Sequence, residues 1–259
     1  MYIISGFLFI FERQTNKLSG YRARLLMLAD FYDFKLFHME KYVLIIAGGL
    51  GKRMNTNIPK QFIPVAGKPV LMHTIAKFKD FDPKMHIIVI IPKEHISLWK
   101  DLCTEFSFKI EHQIVSGGKE RFYSVKNGLK SVPDDALVLI HDGVRPLVSN
   151  ETIERVVRTG AEKGNAIPYM DLYQSVRKIS QSKNKAVNRN QFKVIQTPQG
   201  FYSNYIKEAY SRRYRKSFTD DASVLEALGY EINLVKGNNK NMKITSSTDI
   251  HLVDCLMRM

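Results

Sequence analysis

The apolar run Tyr42-Val43-Leu44-Ile45-Ile46 passes without a break into Ala47-Gly48-Gly49-Leu50-Gly51-Lys52-Arg53-Met54, and Pro59-Lys60-Gln61 follows a few residues later. A buried strand that runs into a glycine-rich turn is the start of an α/β unit with a ligand loop beyond the strand's carboxyl end. Glycines let backbone N–H groups approach an anion closely, because no Cβ is in the way. The cations Arg53 and Lys60 then neutralise phosphate charge. On the glycines alone, an ordinary tight strand-to-helix turn reads equally well. The two cations and the pattern further along the chain favour a polyphosphate loop. The loop fits neither common type. A Walker A loop needs Ser or Thr after the lysine, and Lys52 is followed by Arg53; a dinucleotide loop needs a third glycine where Met54 stands.

Apolar runs alternate with amphipathic stretches along the rest of the chain, which signals βαβ units and a mostly parallel sheet. Strands are predicted at 42–46, 87–91, near 110–115 and at 137–140, the last ending at His141-Asp142. Helices are predicted at 69–79, near 94–106, from Lys119 to Leu129 and at 150–163. Residues 166–200 lack a clean βαβ unit and read as a β-arm or hairpin projecting from the main sheet, with a face suited to pairing with another subunit. Helices near 203–214 and 220–228, strands near 230–236 and 242–245, and a final helix near 247–258 complete the chain.

At 259 residues the chain is long enough for one large α/β domain. Its net charge of +14 suits nucleic acid, an anionic membrane surface or phosphorylated small molecules. The charge is spread out, and its densest cluster, Arg212-Arg213-Tyr214-Arg215-Lys216, reads as a solvated helix end. The two cysteines, Cys103 and Cys255, have no partner at metal-ligand spacing, so a reduced, cytoplasmic protein is expected. No apolar run is long enough for a membrane span. Residues 1–38 differ from the rest and precede Met39-Glu40-Lys41. They are expected to be an extension from an upstream start, ahead of a single domain over 39–259. An intact mass corresponding to all 259 residues in protein from its own cell would overturn that expectation.

Asp142 ends a buried strand within His141-Asp142-Gly143-Val144-Arg145-Pro146. It is placed to hold Mg²⁺ beside nucleotide phosphates, or else to cap a helix or pair with Arg145. Gly117-Gly118 opens a helix and exposes backbone groups suited to reading a base edge, with Arg121 and Ser124 in its first turns. Gln196-Thr197-Pro198-Gln199 is either a proline turn or a polar wall around a second, phosphorylated substrate, and Arg189 precedes it. Lys243, within a predicted strand, is either functional or a snorkelling side chain.

Taken in order, these segments, together with Thr219-Asp220-Asp221-Ala222-Ser223 and Asn241-Met242-Lys243-Ile244-Thr245, resemble the 2-C-methyl-D-erythritol 4-phosphate cytidylyltransferase family over roughly residues 41–258. The resemblance implies a Rossmann-like, mostly parallel α/β sheet of nucleotidyltransferase type, flanked by helices, with a β-arm over about 168–198. It implies transfer of CMP from CTP to the polyol phosphate with release of pyrophosphate. Arg53, Lys60 and Lys243 would be the catalytic cations. Ala47, Gly48, Gly49, Gly51, Gly118, Arg121, Ser124 and Asp142 would bind CTP, with Asp142 also on Mg²⁺. Arg189, Thr197 and Ser175 would bind the polyol phosphate. The arm would serve a neighbouring subunit's site, giving a homodimer, with no nucleic-acid or membrane partner. Gly48 stands where the family has a second alanine, and Asp142-Gly143-Val144-Arg145 where it often has Asp-Ala-Ala-Arg. A ribitol-5-phosphate cytidylyltransferase shares most of these features, and a non-catalytic RNA-binding module is the more distant alternative.

Overall fold

The computed structural model describes residues 39–49 and 58–259. The predicted extension over 1–38, and with it Gly51 and Arg53, lies outside the described residues. The first half alternates as the apolar pattern requires. Strand β1 (Lys41–Ile46) is followed by a short antiparallel ribbon, β2 (Pro64–Val65) and β3 (Lys68–Pro69), then helix α1 (Val70–Phe81) and β4 (His86–Ile91). Next come α2 (Ile96–Glu105), β5 (Gln113–Ser116), α3 (Arg121–Leu129), β6 (Leu137–Asp142) and α4 (Asn150–Lys163). β1 lies between β4 and β6, parallel to both, and β5 extends the sheet beyond β4.

The second half builds on β6 in the opposite sense. β7 (Asn165–Asp171) is followed by the hairpin β8 (Arg177–Ser180) and β9 (Lys183–Ala186), then β10 (Lys193–Ile195) and β11 (Gln199–Tyr202). β11 inserts antiparallel between β6 and β7, and β10 also runs antiparallel to β7. Helices α5 (Ser203–Ser211) and α6 (Asp221–Glu226), strand β12 (Leu234–Lys236) parallel to β7, and helix α7 (Ser247–Arg258) complete the unit formed by Glu40–Met259.

Strand alternation sorts the core onto two faces. Leu44, Ile46, Val138 and Ile140 join Phe122, Val125 and Leu129 of α3 and Ile206 of α5 in one apolar cluster. His141, on the other face, packs its ring 4.9 Å from that of Phe78 in α1. α4 starts at Ser149, whose hydroxyl accepts from the Thr152 N–H, and stops at Gly164, where φ is +84°. The hydroxyl satisfies one of the free donors at the helix start, and glycine is the residue that adopts the left-handed stop without strain.

Several expectations need correction. The strand near 242–245 does not form. Residues 241–245 run as an irregular segment held to the loop after β6 by the Ile244 N–H on the Val144 carbonyl (3.0 Å). Beyond it, Thr245 and Ser246 turn their N–H groups to the Asp249 carboxylate, and Ser246 caps α7 by accepting from the Asp249 N–H. The strand near 230–236 shortens to three residues, and α5 ends at Ser211, because Arg212 is extended (ψ 166°). The cluster 212–216 is largely exposed, as a solvated helix end is. The arm is also smaller than its sequence span. β7 and β10 belong to the main sheet, and only β8 and β9 pair with each other alone, every residue exposed.

Trp99, the chain's one tryptophan, offers a pH test of the packing around α2. Its Nε1–H donates to His112 Nε2 (3.0 Å), while the His112 Nδ1–H donates to the Ile110 carbonyl (2.7 Å). Burial pushes the His112 imidazole down, so folding favours its neutral form. The stability it contributes is therefore full above the free-histidine value of about 6.5 and is lost as pH falls toward the lowered value. Trp99 fluorescence should show a protonation step below about pH 6.5 that is missing in His112→Gln. A step that persists in the variant would contradict the assignment.

Candidate active site

The carboxyl ends of β1, β5 and β6 open into a cleft of about 270 Å³. On one wall, Ala47 leaves β1 with its N–H on the Ile90 carbonyl (2.9 Å), and its own carbonyl accepts from Gln61 Nε2 (2.8 Å). Gly48 and Gly49 follow. A Cβ on Gly49 would come within 3.0 Å of Lys60 Cε, so the absent side chain makes room for the lysine. Lys60 opens the 3₁₀ turn Lys60–Phe62, is only 9% exposed, and donates from Nζ to the Ile244 carbonyl (3.0 Å). That bond ties Lys60 to the segment carrying Lys243.

The opposite wall is the start of α3. The Gly118 N–H donates to Ser124 Oγ (3.0 Å), and the Ser124 hydroxyl donates back to the Glu120 carbonyl (3.2 Å). A Cβ on Gly118 would lie 2.4 Å from that of Tyr123, closer than real Cβ contacts come, so only glycine fits this turn.

Asp142 forms the floor. Its Oδ2 accepts from Arg145 Nε (3.0 Å) and pairs with Lys243 Nζ (3.1 Å), and its Oδ1 lies 3.8 Å from Arg121 Nε. Burial by itself would raise this carboxyl. The charges of Arg121, Lys243 and Arg145 outweigh it and hold the group well below the usual carboxylate range. Lys243 is therefore an ion-pair partner on the cleft rather than a snorkelling strand residue. Asp142 pairs with Arg145, as one of its open readings has it, and it also faces the cleft.

Behind Asp142 runs a directed chain of hydrogen bonds. The Asp142 N–H donates to Thr197 Oγ1 (3.1 Å), and the Thr197 hydroxyl donates to His141 Nδ1 (3.0 Å). The His141 Nε2–H then donates to the Arg145 carbonyl (3.1 Å). A carbonyl can only accept, so Nε2 carries a proton, and a neutral imidazole leaves Nδ1 to accept from Thr197. Burial agrees, pushing His141 down to about 4.

Ala47, Gly48, Gly49, Lys60, Gly118, Arg121, Ser124, Asp142 and Lys243 all line this one cleft. Arg189 and Ser175 do not reach it. Both lie on the exposed arm, where Arg189 Nη1 donates to the Tyr173 carbonyl. Thr197 is buried beneath Asp142 with its hydroxyl engaged inside the domain, rather than grouped with the arm residues. Gln61, Arg145 and Asp221 also build the site and were not among the predicted site residues. All three stood inside motifs already noted, Asp221 within Thr219-Asp220-Asp221-Ala222-Ser223. Asp221 binds Arg121 from a hundred residues away, a pairing that no local spacing signals.

The family model for 2-C-methyl-D-erythritol 4-phosphate cytidylyltransferase (IspD) matches residues 42–259. The protein of that name from Phocaeicola vulgatus is 47% identical over 219 residues, covering 85% of this chain and 100% of the relative. That of Bacteroides fragilis is 46% identical over the same length and shares. Among solved structures, the 4-diphosphocytidyl-2C-methyl-D-erythritol synthase of Anaerococcus prevotii superimposes with a TM-score of 0.74 at 26% identity, over 87% of this chain and 99% of that one. With a family match that spans the whole described domain from β1 onward, and relatives this similar along their full length, the chain belongs to the 2-C-methyl-D-erythritol 4-phosphate cytidylyltransferase family.

Proposed function

We propose that the cleft binds CTP and transfers its CMP group to 2-C-methyl-D-erythritol 4-phosphate, releasing pyrophosphate, as a step of isoprenoid precursor synthesis. A phosphate oxygen of the acceptor attacks the α-phosphorus of CTP, and the bond to the β-phosphate breaks. No group on the protein is covalently modified, so the chain contributes orientation and charge. The observation that carries this reading is the meeting of Lys60 and Lys243 with Asp142 between two glycine edges. The glycine edges supply backbone donors for the nucleotide. The ammonium groups of Lys60 and Lys243, with Arg53 from the same loop, stabilise the negative charge that gathers on the α-phosphate.

Among the described residues no group of three His, Cys, Asp or Glu side chains assembles to hold a metal. Asp142 is one ionised carboxylate beside the nucleotide cleft. Such a donor set fits Mg²⁺ that arrives on a triphosphate, which one or two carboxylates and the phosphates bind together. Asp142 would hold it, and the ion would neutralise charge on the phosphates. The free thiols Cys103 and Cys255 accord with work in the cytoplasm. Incubation with CTP and the polyol phosphate should give CDP-methylerythritol by mass spectrometry, and UTP or ATP should give none. Equal product from UTP would overturn the assignment of cytidine.

We further propose that the enzyme is a homodimer in which the arm reaches the partner's cleft. Two features support this. Tyr173 and Ile179 on the arm are 63% and 68% exposed, and Arg189 and Ser175 lie away from the cleft of their own chain. Arg189→Ala should raise the KM for the polyol phosphate about tenfold or more, the scale of a lost charged hydrogen bond, with the KM for CTP nearly unchanged. A shift confined to CTP would show that the arm has another task.

A further inference from the structure

The segment Thr219-Asp220-Asp221-Ala222-Ser223 has no part in the mechanism above, yet it grips one of the site's arginines. Arg121 Nη1 donates to Asp221 Oδ1 and Nη2 to Asp221 Oδ2, both at 2.7 Å. The Asp221 carboxylate is fully buried, while the Arg121 side chain is 31% exposed to the cleft. A third donor, the Tyr210 hydroxyl, binds Asp221 Oδ1 at 2.6 Å. End-on pairing occupies the two terminal nitrogens and leaves the edge that carries Nε, which lies 3.8 Å from Asp142 Oδ1.

The carboxylate is itself held in place. Asp220 caps α6 by accepting from the Ser223 N–H (3.0 Å), and it also accepts from Gln199 Nε2 (2.8 Å). Gln199 Oε1 takes the Ala222 N–H (2.9 Å). Gln199 begins β11, where it pairs with Ile140 of β6, and β6 ends in Asp142. The arginine, the buried carboxylate and the cleft's floor are thus tied into one closed circuit of strands and hydrogen bonds.

We propose that Asp221 is a positioning residue for the nucleotide site, gripping both Nη groups of Arg121 and turning the remaining edge of the guanidinium toward Asp142 and the triphosphate. The proposal rests on the reading of the cleft as a CTP site. Asp221 itself touches no substrate and acts only through Arg121.

A double-mutant cycle on the full chain tests it, with kcat/KM for CTP as the readout and the thermal midpoint recorded for each variant. Asp221→Asn should lower kcat/KM for CTP about tenfold and Arg121→Met about thirtyfold, and the double variant should stay within about threefold of Arg121→Met. The KM for the polyol phosphate should move less than about twofold throughout. Losses that multiply in the double variant, or a folded Asp221→Asn enzyme with wild-type kcat/KM, would overturn the proposal. Should Asp221→Asn fail to fold, Tyr210→Phe removes one bond to Asp221 while keeping the ring. It should cost about threefold in kcat/KM for CTP, and nothing further once Arg121 is Met; no change in the wild-type background would overturn the proposal. Wild-type protein that gives no product from CTP would instead overturn the reading of the cleft.

Discussion

Lys60→Ala should lower turnover about a thousandfold while changing CTP affinity by less than about threefold. The asymmetry follows from where the ammonium sits. Lys60 is buried over Gly49 and anchored to the Ile244 carbonyl. It enters the cleft preorganised, so little reorganisation is needed as charge builds on the α-phosphate. On the proposed reading, the glycine edges and the other cations would hold ground-state CTP, so its binding should depend less on Lys60. Rapid-mixing turnover and equilibrium CTP binding on the same preparation check the pair of values. A variant with normal turnover would remove Lys60 from the chemistry. One that loses affinity and turnover equally would make it a simple binding cation.

Asp142→Asn should have the largest combined effect on activity and stability. The substitution keeps the shape but leaves Arg145 and Lys243 without their countercharge. Arg121 retains Asp221, and Lys243 is partly open to water, so the cost should fall near the lower end for breaking a buried pair, about 3 kcal/mol. For a domain of this size that is roughly 9 °C in thermal midpoint, readable by calorimetry. The pH dependence carries a definite sign. The folded carboxyl lies below its ordinary value, so its contribution is full above about pH 4 and is lost as pH falls below that. The gap between wild type and variant should be constant from neutral pH down to about 4 and shrink below it. Turnover should fall at least about a hundredfold, with loss of the response to added Mg²⁺. An Asn variant as stable as the parent would show that the ion-pair cluster is not a structural element.

Local features of this site were legible in the chain, and paired features were not. Gly49 and Asp142 each follow a strongly apolar strand, and Lys60 and Gly118 stand in the short motifs Pro59-Lys60-Gln61 and Gly117-Gly118, where loop chemistry is set by neighbours in sequence. The thirteen buried apolar residues of β1, β4 and β6 run consecutively within each strand, a local signature of strands covered on both faces, which is why those strands fall close to where the apolar runs put them. Thr197 is different. Its inward hydroxyl depends on β11 pairing antiparallel with β6, and only that pairing brings it beneath Asp142. Lys243 was placed on a strand because Met242 and Ile244 flank it. In the fold that stretch is irregular, held by the Ile244 N–H on the Val144 carbonyl and by Lys60 and Arg145 on the Ile244 and Asn241 carbonyls, and the lysine pairs with Asp142. The arm is shorter than its sequence span because β7 and β10, in a stretch without a clean βαβ unit, both pair into the main sheet.

The central claim is that the cleft transfers CMP from CTP to a methylerythritol phosphate. Pyrophosphate release with CTP and Mg²⁺ tests it most directly, comparing 2-C-methyl-D-erythritol 4-phosphate with ribitol 5-phosphate as acceptor. Release with the methylerythritol phosphate and none above background with ribitol phosphate is the predicted result. Release with ribitol phosphate alone would contradict the claim, leaving the cleft's cations in place but assigning the acceptor to a different polyol.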